Sequence, residues 1–152
     1  MTVTRIDRPS QILEVWSLFD EGFRHLQDLV KLHYDEEQAK KMLCLLASDH
    51  THGYINVAFT DEGDPIAFAV ARDDTLPFSH FRTFCAHAVY YKQGHSAVVL
   101  QLMGNFETWC RANEVRRYTI LTRRATTPAK RCFQHEKYGF QRMSFVFEKD
   151  IL

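Results

Sequence analysis

The side chains in this 152-residue chain that could do chemistry are mainly its eight histidines and four cysteines. A histidine exchanges protons near neutrality because its ordinary pKa is about 6.5. His87 lies in the run Phe84-Cys85-Ala86-His87-Ala88-Val89. Strand alternation there puts Cys85, His87 and Val89 on one face and Phe84, Ala86 and Ala88 on the other. His87 can serve a reaction from that face, or it can be a sheet histidine satisfied by a neighbouring carbonyl. His135 falls at the end of an expected helix, where the helix dipole alone would stabilise its charge. Cys85 has no apparent Asn or Asp partner, so a nucleophilic thiol is not expected. Only His50 and His52 lie close together, and no C-x-x-C pair joins Cys44, Cys85, Cys110 and Cys132. No metal site is expected from such spacing. Arg116-Arg117, Arg123-Arg124, Lys130 and Arg131 either meet an anionic group or are ordinary solvated charge at element ends.

The elements that must position these residues follow from periodicity. Thr2–Asp7 is a candidate first strand, although Val3 and Ile6 fall on opposite faces. Pro9-Ser10 punctuates. Ile12, Leu13, Val15, Trp16, Phe19, Phe23 and Leu26 then recur at helical spacing, with Gly22 the expected point of interruption. Asp35 is the expected N-cap of a second helix carrying Ala39, Met42, Leu43, Leu46 and Ala47. The segments 54–59 and 65–72, joined by the turn Asp61-Glu62-Gly63-Asp64, predict a β-hairpin. A third strand is expected over 81–90. The turn Lys92-Gln93-Gly94-His95 and a long apolar helix over 96–112 follow. A strand over 116–122, a helix over 127–137 and a strand over 140–149 complete the chain. This order predicts one α/β domain over 1–152, a central mixed sheet with helices on both faces.

Three local features resemble the GNAT superfamily of N-acetyltransferases. A strand ending near Val89 runs into a glycine-bearing turn and an apolar helix. That helix ends in Phe106-Glu-Thr-Trp-Cys-Arg-Ala-Asn113, similar to "E-x-W-A-x-x-x-G", with Cys110 for Ala and the Gly missing. His135-Glu-Lys-Tyr-Gly-Phe140 is similar to "Y-E-K-x-G-F". The likeness runs from Tyr54 to Leu152. It implies that amides at the helix start hold the diphosphate of acetyl-CoA, as unpaired N–H groups at a helix N-terminus do. The chain departs from the family's turn, R/Q-x-x-G-x-G/A: anchored on Gly94 the window is Tyr91–Ser96, and anchored on Val89 and Trp109 it is Gly94–Val99. In either register, Val89, Lys92, Gln93, Gly94, His95, Ser96 and Ala97 are the expected cofactor-binding residues. The resemblance further implies His87 as base and His135 as acid in place of the family's Tyr; if the Arg/Lys group meets an anion, that anion is the CoA 3′-phosphate or an acidic partner.

Composition narrows the classes. Lys+Arg and Asp+Glu are 19 each, so net charge gives no support to a nucleic-acid or membrane-surface role. No apolar run reaches the roughly 20 residues of a membrane span. Met1-Thr-Val-Thr-Arg is not signal-like, and free thiols suit the cytoplasm. The expected function is transfer of acetyl from acetyl-CoA to a primary amine on a small molecule or peptide, with a homodimer or larger assembly left open. The alternative is a GNAT-shaped module without catalysis, of the kind found in phage virions.

Overall fold

The computed structural model describes residues 1–30 and 33–120. In order these form β1 (Thr2–Ile6), α1 (Pro9–Glu14), α2 (Trp16–Val30), α3 (Glu36–Ser48), β2 (Gly53–Phe59), β3 (Pro65–Asp73), β4 (Arg82–Tyr91), α4 (Val98–Ala112) and β5 (Val115–Ile120). The helix expected over 127–137 and the strand over 140–149 lie outside the described residues. So do His135, Arg123, Arg124, Lys130 and Arg131.

The sheet order is β1-β2-β3-β4-β5. The first three pairings are antiparallel, and β4 pairs with β5 in parallel. Helices cover both faces, which makes this the mixed, two-sided α/β sheet expected from the sequence. On one face α1, α2 and α3 pack Ile12, Leu18, Phe19 and Leu43 onto Ile55, Val57, Phe68 and Val70. On the other, α4 packs Val99, Met103, Phe106 and Trp109 onto Tyr54, Phe84 and Ala86. Burying each such large apolar side chain contributes roughly 1.5–3 kcal/mol.

Coverage on both sides explains why β1 lacks alternation. Val3 packs beneath α4 and Ile6 beneath the other helices, so both faces of the strand need an apolar residue. Asp35 caps α3 as expected, accepting from the Gln38 amide at 3.0 Å. The apolar stripe from Ile12 to Leu26 belongs to two helices, however, and the break falls at Val15 (φ −114°, ψ 20°) rather than at Gly22. Pro9 does not punctuate; it opens α1, where its missing N–H costs no bond. Gly22 lies inside α2 at a close crossing. A Cβ there would fall 2.5 Å from Phe68 Cε1 and 2.8 Å from Tyr90 Cγ.

The end of α4 accounts for part of its motif. Trp109 packs against Tyr54 and Phe84, both at 5.0 Å between centroids, beneath the guanidiniums of Arg5 at 5.3 Å and Arg82 at 5.9 Å. The conformation the missing Gly would supply is nevertheless present. Glu114, five residues after Trp109, takes φ +58°.

Candidate functional site

His87 sits at a break in the strand. The β3–β4 register passes from Val70↔Ala88 to Ala71↔Ala86, so His87 is the extra residue of a β-bulge. The bulge reverses the alternation. Phe84 and Ala86 face α4 before it, whereas Val89 faces α4 and Ala88 and Tyr90 face α2 after it. The expectation that Cys85, His87 and Val89 share one face is therefore corrected, since one inserted residue shifts every later side chain to the opposite side.

The His87 ring is engaged. Arg72 Nε donates to its Nε2 at 2.9 Å. Packing around the ring, and then the Arg72 charge, lower its pKa below the ordinary histidine value, with Asp74 opposing. The imidazole is thus held neutral with Nε2 as acceptor and the proton on Nδ1. Burial pushes the Cys85 thiol up and the Cys110 thiol up to about 12, so neither is a thiolate at neutral pH.

Beyond the bulge, β4 runs four residues to the turn. Its pairing with β5 covers Arg82–Ala86, and among the described residues Ala88–Tyr91 pair only with β3. The turn then presents main-chain donors. Gly94 has φ +88°, with open space where a Cβ would be. The Lys92 amide donates to Ile66 O, that of His95 to Lys92 O, Val98 to His95 O and Val99 to Ser96 O. Among the described residues, the amides of Gln93, Gly94, Ser96 and Ala97 donate to nothing. No side chain caps α4, whose N-cap is Ala97. Of these, Ala97 is the N-cap of a 15-residue helix and Gln93, Gly94 and Ser96 belong to the turn before it, so uncommitted N–H groups that could donate to an oxyanion lie along the approach to the helix start. The Lys92 side chain turns elsewhere, its Nζ lying 4.0 Å from Glu21 Oε2.

Sequence reasoning missed the group across the strand. Tyr90 OH donates to Glu21 Oε1 at 2.7 Å. Burial, then the carboxylate, push the Tyr90 phenol up to about 12, so it remains a donor. Glu21 looks in sequence like the solvated face of an amphipathic helix, and only the fold brings it to β4. A separate groove of about 550 Å³, lined by Phe81, Arg82, Glu114 and Arg116 among others, lies where β4 and β5 begin, at the far end of β4 from the turn. Arg82 is committed there, to Asp73 Oδ2 at 3.5 Å and Asn113 O at 3.0 Å, and to Thr51 O. Among the described residues no group of three His, Cys, Asp or Glu could hold a metal ion, and no helix is long and apolar enough to cross a membrane.

No family model and no curated protein matches the sequence. Solved structures do. The ribosomal-protein-alanine N-acetyltransferase from Brucella melitensis biovar Abortus 2308 superposes with a TM-score of 0.69 at 12% identity, covering 100% of both chains. An aminoglycoside acetyltransferase from an uncultured soil metagenomic sample, solved with sisomicin, gives 0.72 at 10% identity over 99% of this chain and 96% of that one. The BH1408 protein from Bacillus halodurans, as a tetramutant, gives 0.73 at 12% identity over 99% and 100%. Likeness of this extent at such low identity establishes the fold: a divergent form of the GNAT acetyltransferase fold.

Proposed function

We propose that this protein is an acetyl-CoA-dependent N-acetyltransferase acting on a primary amine. The observation that carries the reading is the set of uncommitted amides at Gln93, Gly94, Ser96 and Ala97, at the junction of β4 and α4. These donors suit a diphosphate, and the residues present therefore fit the co-substrate that the fold implies. A main-chain N–H near Val89, just past the bulge, would stabilise negative charge on the thioester oxygen. His87 would assist deprotonation of the amine once Arg72 releases Nε2. His135 would protonate the departing thiolate, on the strength of the sequence likeness. The acceptor would be a small-molecule or peptide amine, and the structural neighbours named for aminoglycosides and for a ribosomal-protein alanine fit that range. The cytoplasm, and a homodimer or larger assembly, are part of the reading.

One observation favours the second reading, a GNAT-shaped module without catalysis: the acceptor nitrogen of His87 is already occupied by Arg72. Cofactor binding separates the two. Acetyl-CoA at a hundred times its Kd should stabilise the protein by about 2.7 kcal/mol, read as a thermal shift. Gly94→Pro should abolish calorimetric binding, because proline fixes φ near −65° where Gly94 needs a positive value. No shift with the wild-type protein supports the inactive module. Undiminished affinity in Gly94→Pro refutes the placement.

A further inference from the structure

The far side of the end of β4 carries a second cluster, formed by Glu21, His25, Tyr90 and Lys92. Glu21 comes from α2, and its half-exposed carboxylate is fixed from another element by the Tyr90 hydroxyl at 2.7 Å. That bond occupies Oε1. Oε2 accepts no hydrogen bond among the described residues, and the Lys92 ammonium stands 4.0 Å away, beyond hydrogen-bond reach. His25, one helical turn after Glu21, lies against the Tyr90 ring at 5.8 Å between centroids. The carboxylate is thus oriented by Tyr90, with Oε2 bearing no hydrogen bond among the described residues and facing the Lys92 ammonium.

Its location gives it a use. The uncommitted amides lie where α4 begins, while Glu21 lies on the α2 side of the same strand end. Between them run Ala88–Tyr91, about 13 Å of strand paired only with β3 among the described residues. A thioester laid along that segment, anchored at the amides, would be approached from the α2 side past Glu21. His87 is a weaker candidate to meet an incoming ammonium, since its free ring position is an N–H donor.

We propose that Glu21 receives the acceptor's ammonium through Oε2, with Tyr90 as the positioning residue that aims the carboxylate. The inference rests on the transferase reading and names the group that selects its acceptor. In the step it serves, the ammonium gives a proton to the carboxylate, directly or through water. The freed nitrogen pair forms the C–N bond to the acetyl carbon and the C–S bond breaks; the nitrogen sheds a second proton to water as it becomes the neutral amide, and the sulfur leaves as a thiolate that takes up one proton from a donor, so the two balance. A cationic alkyl amine fits this site better than a neutral aromatic one, because a hydrogen-bonded charge pair is the contact on offer.

The test uses the full chain, with calorimetry of acetyl-CoA binding and of 1,5-diaminopentane binding to the CoA complex. Glu21→Gln should keep wild-type acetyl-CoA affinity and lose about tenfold in diamine affinity, the loss expected for a hydrogen bond to a charged group. Glu21→Asp, which keeps the charge, should recover part of it. Tyr90→Phe should raise KM for the diamine while kcat stays within about twofold, a split that a general loss of structure would not give. Equal diamine affinity in Glu21→Gln and wild type overturns the proposal. So does a wild-type protein that binds acetyl-CoA but no diamine, or loss of both ligands in both Glu21 variants. A wild-type protein that binds no acetyl-CoA overturns the transferase reading itself, and this inference with it.

Discussion

At the scale of single residues, the Arg72–His87 contact makes a claim about pH. The His87 pKa is lowered in the folded state, by packing first and by Arg72 second. A group whose folded pKa lies below its unfolded value stabilises the native state above the unfolded pKa, and that contribution fades as pH falls through the folded one. Stability should therefore drop as the solution is taken from neutrality to below about 6.5, the ordinary histidine value. His87→Gln, whose amide oxygen can accept from Arg72, should flatten that part of the profile. Urea midpoints measured across the range would check it, as would an NMR titration of the ring. A ring that titrates above the ordinary value would contradict the assigned cause. Little of this was legible beforehand. His87 stands out in an apolar run, but nothing in the run shows the inserted residue. With Phe84, Ala86, Ala88 and Tyr90 all buried, neither face has the polar alternation that would reveal a slip in phase. Gly94 was legible because a positive φ at the mouth of a helix calls for glycine. The Glu21–Tyr90 bond was not, because it joins residues 69 apart in sequence.

At the scale of elements, the most telling position is the exit from α4. Asn113 closes the helix, its Nδ2 donating to Trp109 O at 2.8 Å. Glu114 then takes φ +58° to turn the chain into β5. Helices commonly end on one left-handed residue, and glycine occupies it at least strain. The sequence likeness fails at this position, since the motif's Gly is Glu here, yet the backbone follows the shape the motif requires. Glu114→Gly should relieve roughly 1–2 kcal/mol of left-handed strain. The larger conformational freedom of glycine in the unfolded chain returns about 0.5–1 kcal/mol of that. A net gain of about 0.5–1 kcal/mol is expected in chemical denaturation, and a loss would show that the Glu114 side chain holds a contact worth more than the strain. Helix patterning carried the rest of this scale. The stripe from Ile12 to Leu26 located the buried face but not the division at Val15, because α1 and α2 continue the same apolar spacing across it. Gly22 was legible as an exception and misread in kind. It answers to the ring of Phe68 rather than to a bend.

At the scale of the whole molecule, two cores share one sheet. Phe68 and Val70 of β3 point into the core under α1–α3, while Ala67, Ala69 and Ala71 of the same strand meet α4. β4 divides in the same way on either side of its bulge. A strand common to both cores cannot lose one layer and keep its pairing, so the two should unfold together. The chain carries a reporter for each. Trp16 sits at the α2–α3 junction, its Nε1 donating to Glu36 Oε1 at 3.1 Å beneath the Lys40 ammonium at 4.8 Å. Trp109 lies in the α4 core, 9% exposed. These are its only two tryptophans. Trp16→Phe leaves the α4 core visible by fluorescence and Trp109→Phe leaves the other. In each variant the urea curve of the remaining tryptophan should coincide with the backbone signal, as two-state unfolding demands. Phe106→Ala, which empties part of the α4 core alone, should destabilise by about 3–5 kcal/mol. Introduced into each single-tryptophan variant, it should move the Trp16 and Trp109 midpoints by the same amount. A Trp16 transition left in place while Trp109 shifts would mean that the layers open independently. The sheet would then be a platform for two units rather than the frame of one, and the Lys92–Ala97 turn and Glu21, which belong to opposite layers, could not be held in register for the proposed reaction.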